Sequence, residues 1–284
     1  MGISSAIEGL FGDVSLYQKL LSVQKQKLIR KYPDPILKER FELLDKKFAC
    51  LGPIVLCDSL LKDIGIASSK ELLTGLGLVS FHISMHDDVV DETPDRRKEI
   101  GGLVYSGNIA LLEGIAYLVE KGFSNVIPSM NEVINENHFR QQKVLELWNE
   151  KPPSMNEYFE KIYHIYSWTL LGPRTAIAYA GRNDLQKTIS DFSTQYGYAI
   201  QLLDESLDID DDIASGYWSY SLLAGNQKGI KSYDSIESKK YITQKTLEKS
   251  TEFASKAQES IPKNWIHLQD KITRLKNYMS SFNK

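Results

Sequence analysis

Residues 84–99 read SMHDDVVDETPDRRKE, and within them Asp87, Asp88 and Asp91 stand at i, i+1 and i+4. On a helix the first and last of these lie above one another and the second is about 100° round the axis, so the three carboxylates can converge on one cation. Like charges held so close repel unless something positive joins them. A hard cation such as Mg²⁺ takes oxygen ligands and commonly shares them with phosphates. Residues 204–208, DESLD, repeat the layout as Asp204, Glu205 and Asp208. Each cluster closes an apolar stretch, where a merely solvated face would interrupt the apolar residues earlier. One such cluster is ordinarily a solvated helix end, whereas two matched ones point to a site. If the two helices face each other, their carboxylates line one rim of a cavity with apolar walls. Arg96 and Arg97 follow Asp91 after a turn containing Pro94, and their forked donors suit phosphate oxygens. The chemistry expected is a diphosphate bridged to Mg²⁺, with an attached apolar tail falling into the protein core.

Helices must carry these clusters. Only 9 prolines and 18 glycines punctuate the 284 residues, and the segments between them hold apolar residues at three- and four-residue spacing. The pattern predicts an all-α protein with helices over 14–31, 35–62, 69–91, 101–121, 123–149, 155–181, 184–210, 216–224, 236–258 and 263–281. KYPDP, ETPD, KPPS and IPKN are the breaks. No internal repeat and no Gly/Ser- or Pro-rich linker divides the chain, so residues 1–284 are expected to form one helical domain. Segments 69–86 and 163–181 are apolar on more than one face, as helices at the centre of a bundle are. The polar, lysine-rich stretch after residue 225 reads as a surface loop leading into amphipathic terminal helices.

Composition bounds the partners. With 34 basic and 37 acidic residues the formal charge is −3, which argues against a nucleic-acid surface built on bulk positive charge. Cys50 and Cys57 lie seven apart in one apolar helical stretch, a spacing that makes neither a disulfide framework nor a metal-ligand pattern. A reducing, cytoplasmic location is expected. The start, MGISSAIEGLFGD, has no basic n-region, the end, SSFNK, no prenylation box, and the most apolar window, ELLTGLGLVSFHISM, is short for a bilayer span. No transmembrane segment is expected.

The segment HDDVVDETPDRR resembles the first aspartate-rich motif of the trans-prenyl diphosphate synthases, D-D-x-x-D-x-x-x-x-R-R, and GYAIQLLDESLD is similar to their second, G-x-x-F-Q-x-x-D-D-x-x-D. The resemblance runs from about residue 45 to 225, with a weaker echo in YSGNIALLEG at 105–114. It implies a single-domain helical bundle of the isoprenoid synthase type with a central apolar cavity, three Mg²⁺ ions between the two acidic helices, an allylic isoprenoid diphosphate as substrate, and a homodimer. Carried over, Asp87, Asp88 and Asp91 would hold two metals and Asp204, supported by Asp208, the third, with Glu205 in the same cluster. Arg96 would contact the diphosphate. Bulk at Phe81 and His82 would limit tail length, hinting at a ten- or fifteen-carbon substrate.

Departures from the family pattern bear on the activity. Where the chain-elongating members bind isopentenyl diphosphate through G-G-K-R-x-R-P, this chain reads KFACLGP, with Ala49, Cys50 and Gly52 at the basic positions. A later K-T pair reads Trp168-Thr169, and the lysine after the second motif is Tyr217. Binding a second diphosphate beside an anionic ligand without compensating cations is expected to cost several kcal/mol. Ionising one diphosphate needs only the metals and Arg96 or Arg97. The leading expectation is therefore a class I terpene synthase, which releases pyrophosphate and lets the allylic cation cyclise or be quenched. Chain elongation or prenyl transfer to another acceptor is the alternative. A third reading, a non-catalytic subunit of an active synthase, draws on Asn108 and Glu205 standing where the family has aspartates.

Aromatic faces stabilise cations, and Phe81, Tyr166, Trp168, Tyr198, Tyr217 and Trp218 are candidates against a plain packing role. Gln201 is placed beside Asp204, to bond a diphosphate oxygen or a carboxylate. His86 could orient a carboxylate or be a core histidine. Gln141 and Gln142 lie near the family's central G-Q. Arg174, in an apolar helix beside Pro173, is either a further diphosphate contact or the partner of an acidic neighbour.

Overall fold

The computed structural model describes residues 3–91, 97–144, 152–162, 167–216, 218–230, 233 and 235–282. Of these, only the backbone is described for 3–6, 87, 90–91, 97–99, 137–144, 161–162, 167 and 215. Fourteen α-helices and no strand occur among the described residues: α1 (Ile3–Phe11), α2 (Ser15–Lys31), α3 (Pro35–Phe41), α4 (Phe48–Asp63), α5 (Lys70–Asp91), α6 (Arg97–Glu120), α7 (Ile127–Val144), α8 (Met155–Ile162), α9 (Ser167–Ala180), α10 (Gln186–Leu207), α11 (Ile209–Ser215), α12 (Tyr220–Lys228), α13 (Ile236–Glu259) and α14 (Ile266–Ser281).

The expected helix over 35–62 is two helices. Asp34 starts the first by accepting hydrogen bonds from the N–H groups of Ile36 (2.9 Å) and Leu37 (3.2 Å), with Pro35 in the first turn, where its missing N–H costs nothing. The chain then turns over residues 42–47, and Lys47, in extended backbone, occupies the N-cap position of α4. Leu44 stays fully buried within this turn, which is why the apolar spacing runs through it without a visible break.

From Cys50 to Leu61 every residue of α4 is buried, so α4 is a central helix with α5, α9 and α14 around it. Its contact with α9 is backbone to backbone. A Cβ on Gly172 would stand 2.0 Å from the Pro53 carbonyl oxygen, so only glycine permits this approach. Gly107 and Gly114, seven apart on α6, make a similar seam against α5: Cβ atoms there would stand 3.0 Å from Met85 Cβ and from Leu78 Cβ. One cluster of buried apolar side chains draws members from every α-helix except α11, so a single core joins the first helix to the last.

The ends of the chain are tied to that core. Asp63, the last residue of α4, accepts the N–H groups of His267 and Leu268 at 2.9 Å each, capping the start of α14. Asp58, one turn earlier and buried, accepts from the Tyr17 hydroxyl of α2 and from Lys62 Nζ (2.7 Å). Burial pushes the Asp58 carboxyl up, but Lys62, Ser68 and Tyr17 outweigh it and hold it below the usual range.

Residues Ile100–Glu120 of α6 are long and apolar enough, by length and composition alone, to cross a membrane. Their inner face, with Leu103, Ala110 and Leu118, is buried in the core, while Tyr105, Leu112 and Val119 form an exposed apolar stripe at seven-residue intervals.

Candidate functional site

The two acidic segments meet at one cavity. A pocket of about 350 Å³ is lined by Ile7 and Leu10 of α1, Lys47, Phe48 and Ala49 at the start of α4, Ser84 and Asp88 of α5, Trp168 of α9, Ile200, Leu203, Asp204 and Leu207 of α10, and Tyr278 of α14. The α10 residues stand at i, i+3, i+4 and i+7, one face of a helix with its carboxylate among apolar side chains. Ser84 and Asp88, at i and i+4, do the same for α5. Asp88 and Asp204, drawn from the two sequence clusters, thus face the same space.

Lys47 was not singled out by its sequence context. Its ammonium lies 2.6 Å from Asp88 Oδ1, and both side chains remain partly exposed. It supplies the positive charge that crowded carboxylates require. The available signal was the Lys46–Lys47 pair immediately ahead of the apolar run. The KFACLGP segment is therefore not stripped of charge at the site: Ala49 lines the pocket as a neutral residue, Cys50 and Gly52 are buried in α4, and Lys47 puts a cation at the cavity.

Trp168 stands in the pocket wall, edge-on to Phe48 with ring centroids 5.3 Å apart. Gly52 makes room for it, since a Cβ there would come within 2.6 Å of the indole. The neighbouring Thr169 is buried and donates its hydroxyl to the Ser193 carbonyl at 2.9 Å.

Four expectations are corrected by placement. Glu205, expected with the metal ligands, is turned into the core. It is 3% exposed, and its carboxylate accepts from the Tyr158 hydroxyl, from Gln201 Nε2 at 2.8 Å and from the Tyr220 N–H at 2.7 Å. The reason is helical: the residue after Asp204 is about 100° round the axis, and here that direction is inward. Gln201 is consequently a partner of Glu205 within the core and does not line the cavity. Burial pushes the Glu205 carboxyl up to about 8, against the opposing pull of Tyr158 and Gln201. Phe81 and His82 are buried but also do not line the cavity; the Phe81 ring packs on Phe41 of α3 at 6.2 Å and His82 lies against His86 at 4.3 Å.

Asp208 ends α10 and begins α11; it is solvent-facing and does not line the pocket. Partial desolvation at this corner and the neighbouring Asp211 raise its carboxyl. Asp212 is pushed up to about 7, by burial first, with Asp208 and Asp211 adding to it against Ser219. This extension of the second acidic segment into α11 was not anticipated from its sequence.

Among the other candidates, Arg174 pairs with Glu132 at 3.4 Å and Ser190 at 3.3 Å, the acidic-neighbour alternative. Tyr198 donates to the Phe159 carbonyl at 3.1 Å, and Trp218 packs against the core. Burial lowers the His86 imidazole, partly offset by Asn108, whose Oδ1 is 3.3 Å from His86 Nε2. Arg96, Tyr166 and Tyr217 lie outside the described residues, as do the side chains of Asp87, Asp91, Arg97, Gln141 and Gln142.

Among the described residues no three His, Cys, Asp or Glu side chains form a metal-holding group. Asp88 and Asp204 nonetheless offer oxygen donors alone, and an all-oxygen set suits a hard ion such as Mg²⁺.

No family model and no curated protein matches the chain. Solved structures do. A decaprenyl diphosphate synthase from Rhodobacter capsulatus superposes with a TM-score of 0.74 at 13% identity, over 96% of this chain and 99% of that one. A geranylgeranyl pyrophosphate synthetase from the archaeon Geoglobus acetivorans gives 0.69 at 14% identity, over 93% and 99%. A polyprenyl synthase from Caulobacter crescentus CB15, solved with calcium and isoprenyl diphosphate, gives 0.68 at 15%, over 95% and 98%. At such identities the likeness is one of fold: the chain has the all-α isoprenoid synthase fold that its two motifs imply.

Proposed function

We propose that the protein is a Mg²⁺-dependent enzyme that ionises an allylic prenyl diphosphate and passes the allylic carbon to a second substrate. The observation that carries this reading is the single cavity shared by Asp88 and Asp204, with Lys47 on Asp88 and apolar walls beyond. When bound, Mg²⁺ supplies the charge that makes pyrophosphate a competent leaving group. Asp88 and Asp204, which line the same pocket, would hold the metal, with Asp87 and Asp91 completing the set and Asp208 in support. Lys47 exchanges Asp88 for a diphosphate oxygen, and Arg96 and Arg97 add forked donors. Trp168 offers a ring face to developing positive charge, and the residues of α1, α10 and α14 keep water from it.

Transfer is preferred to the lyase chemistry first expected. Lys47 returns a cation to the segment in which the second substrate's basic residues were sought, and the like-folded solved structures are synthases. The lyase reading keeps one observation in its favour, the neutral Ala49 and the aromatic Trp168 in the lining, which suit an internal quench.

Incubation with Mg²⁺ and each of the ten-, fifteen- and twenty-carbon allylic diphosphates, with and without isopentenyl diphosphate, tests the assignment. Lengthened diphosphates formed only with the second substrate support transfer. Pyrophosphate and hydrocarbons formed without it establish the lyase, and no turnover in either arm rejects an enzyme.

The proposal extends to a cytoplasmic homodimer. The α6 stripe of Tyr105, Leu112 and Val119 offers a second copy an apolar helix face, and the buried thiols of Cys50 and Cys57 are compatible with a reducing compartment. Light scattering of Leu112→Glu checks the dimer, a monomeric mass being expected.

A further inference from the structure

Glu205 sits where three helices converge, one residue past the cavity-facing Asp204. Its Oε1 accepts from the Tyr158 hydroxyl of α8 and from Gln201 Nε2 one turn back on α10 (2.8 Å), and its Oε2 accepts from the Tyr220 N–H that opens α12 (2.7 Å). Its backbone carbonyl accepts from Ser221 Oγ at 3.1 Å. Taking a carboxylate out of water is costly even when fully hydrogen-bonded, and a leucine of similar size would pack there without that cost. Stability therefore gives no reason for an acid at this position. Direction does: three donors, two of them from the separate helices α8 and α12, admit one orientation of the side chain, whereas an apolar contact admits several.

We infer that Glu205 is a positioning residue, whose anchorage to Tyr158 and Tyr220 fixes the rotation of α10 about its axis and so aims Asp204 into the cavity. The inference rests on the proposed reading of that cavity as a metal–diphosphate site. Consecutive helical residues are about 100° apart, so pinning one side chain in the core sets the bearing of its neighbour. Loosening the anchor lets α10 turn by a fraction of that angle, and a ligand displaced by even an ångström binds its metal less well.

The test compares Tyr158→Phe, Glu205→Leu and Glu205→Gln with Asp204→Asn. Circular dichroism reports the fold, and the Mg²⁺ concentration giving half-maximal thermal protection in the presence of pyrophosphate reports the site. With the fold intact, Tyr158→Phe and Glu205→Leu are expected to raise that concentration about tenfold. Glu205→Gln, which keeps an acceptor oxygen for Tyr158, is expected to stay near the wild type. Tyr158→Phe with wild-type Mg²⁺ dependence overturns the inference, and this variant decides should Glu205→Leu not fold. Glu205→Gln behaving like Asp204→Asn also overturns it, by making Glu205 itself a ligand. If the wild type gains no protection from Mg²⁺ and pyrophosphate, the metal–diphosphate reading falls and takes the inference with it. Protection of the wild type with unmoved variants removes the inference alone.

Discussion

Lys47 and Asp88, 41 residues apart in the chain, form an ion pair at the pocket, with the ammonium nitrogen 2.6 Å from Asp88 Oδ1. Lys47 precedes the first residue of α4 and Asp88 lies near the end of α5, so the pair brings the start of α4 to the acidic end of α5.

A pair that keeps partial contact with solvent contributes modestly to folding, so Lys47→Gln should shift the unfolding free energy by about 1 kcal/mol. Its effect should appear in binding instead, as a rise of about tenfold in KM for the allylic diphosphate with kcat less affected, the loss expected of roughly one charge-assisted hydrogen bond. Steady-state pyrophosphate release together with urea unfolding separates the two. A destabilised variant with unchanged KM would make Lys47 a structural residue.

On the proposed reading, Asp88→Asn and Asp204→Asn should each cut turnover by about 100-fold or more while leaving the helical fold in place, because each removes a cavity-facing oxygen from a partly solvated position. The check is pyrophosphate release across a Mg²⁺ titration, with circular dichroism alongside. Wild-type turnover in either variant would remove that residue from the metal set.

Glu205 should make stability depend on pH in the metal-free protein. Its carboxyl is raised to about 8 in the fold by burial, from an ordinary 4.5. Between those values the folded chain holds a proton that the unfolded chain has released. The stability tied to that proton is thus complete below the lower value and is lost as pH climbs to the upper one. Glu205→Gln should therefore gain on the wild type from pH 5 to 8, by an amount on the order of a few kcal/mol, and hold a constant lead above that. Denaturant midpoints of both proteins at pH 5, 6.5, 8 and 9 measure it; a difference independent of pH would contradict the buried acid.

Gly172→Ala should destabilise the protein by roughly 3 kcal/mol or more, because the new methyl meets the Pro53 backbone and not a side chain that can swing aside. Thermal unfolding checks this, a shift of under a degree being the contrary result.

Asp63→Ala should cost about 1–2 kcal/mol by leaving the N–H groups of His267 and Leu268 without their acceptor. Asp63→Asn, which keeps an acceptor oxygen, should recover most of it in the same denaturant titration.

The helical class and the pairing of the two acidic segments were legible because both depend on spacing, and spacing is written in the chain. Lys70–Asp91 and Ile236–Glu259 lie within a residue of their expected bounds for that reason. The turn at 42–47 was not legible, since Leu44 continues the apolar rhythm through it, and with the turn went the position of Lys47. Nor could the motif say which way Glu205 points. Gln201 and Glu205 at i and i+4 carried a hint, two polar residues stacked on one face of an apolar helix, but their partners Tyr158 and Tyr220 come from remote segments that only packing brings near. Phe81 was misjudged for a related reason: it shares a face with Ser84 and Asp88, yet α3 supplies Phe41 to cover it, and no local pattern announces that cover.

The cavity draws Ile7 and Leu10 from the first helix and Tyr278 from the last. The chamber is thus a product of tertiary closure, since no run of neighbouring helices walls it in and segments remote in sequence must meet before any interior exists. Removing α14 should therefore leave that interior open on the Tyr278 side however well the acidic segments are formed.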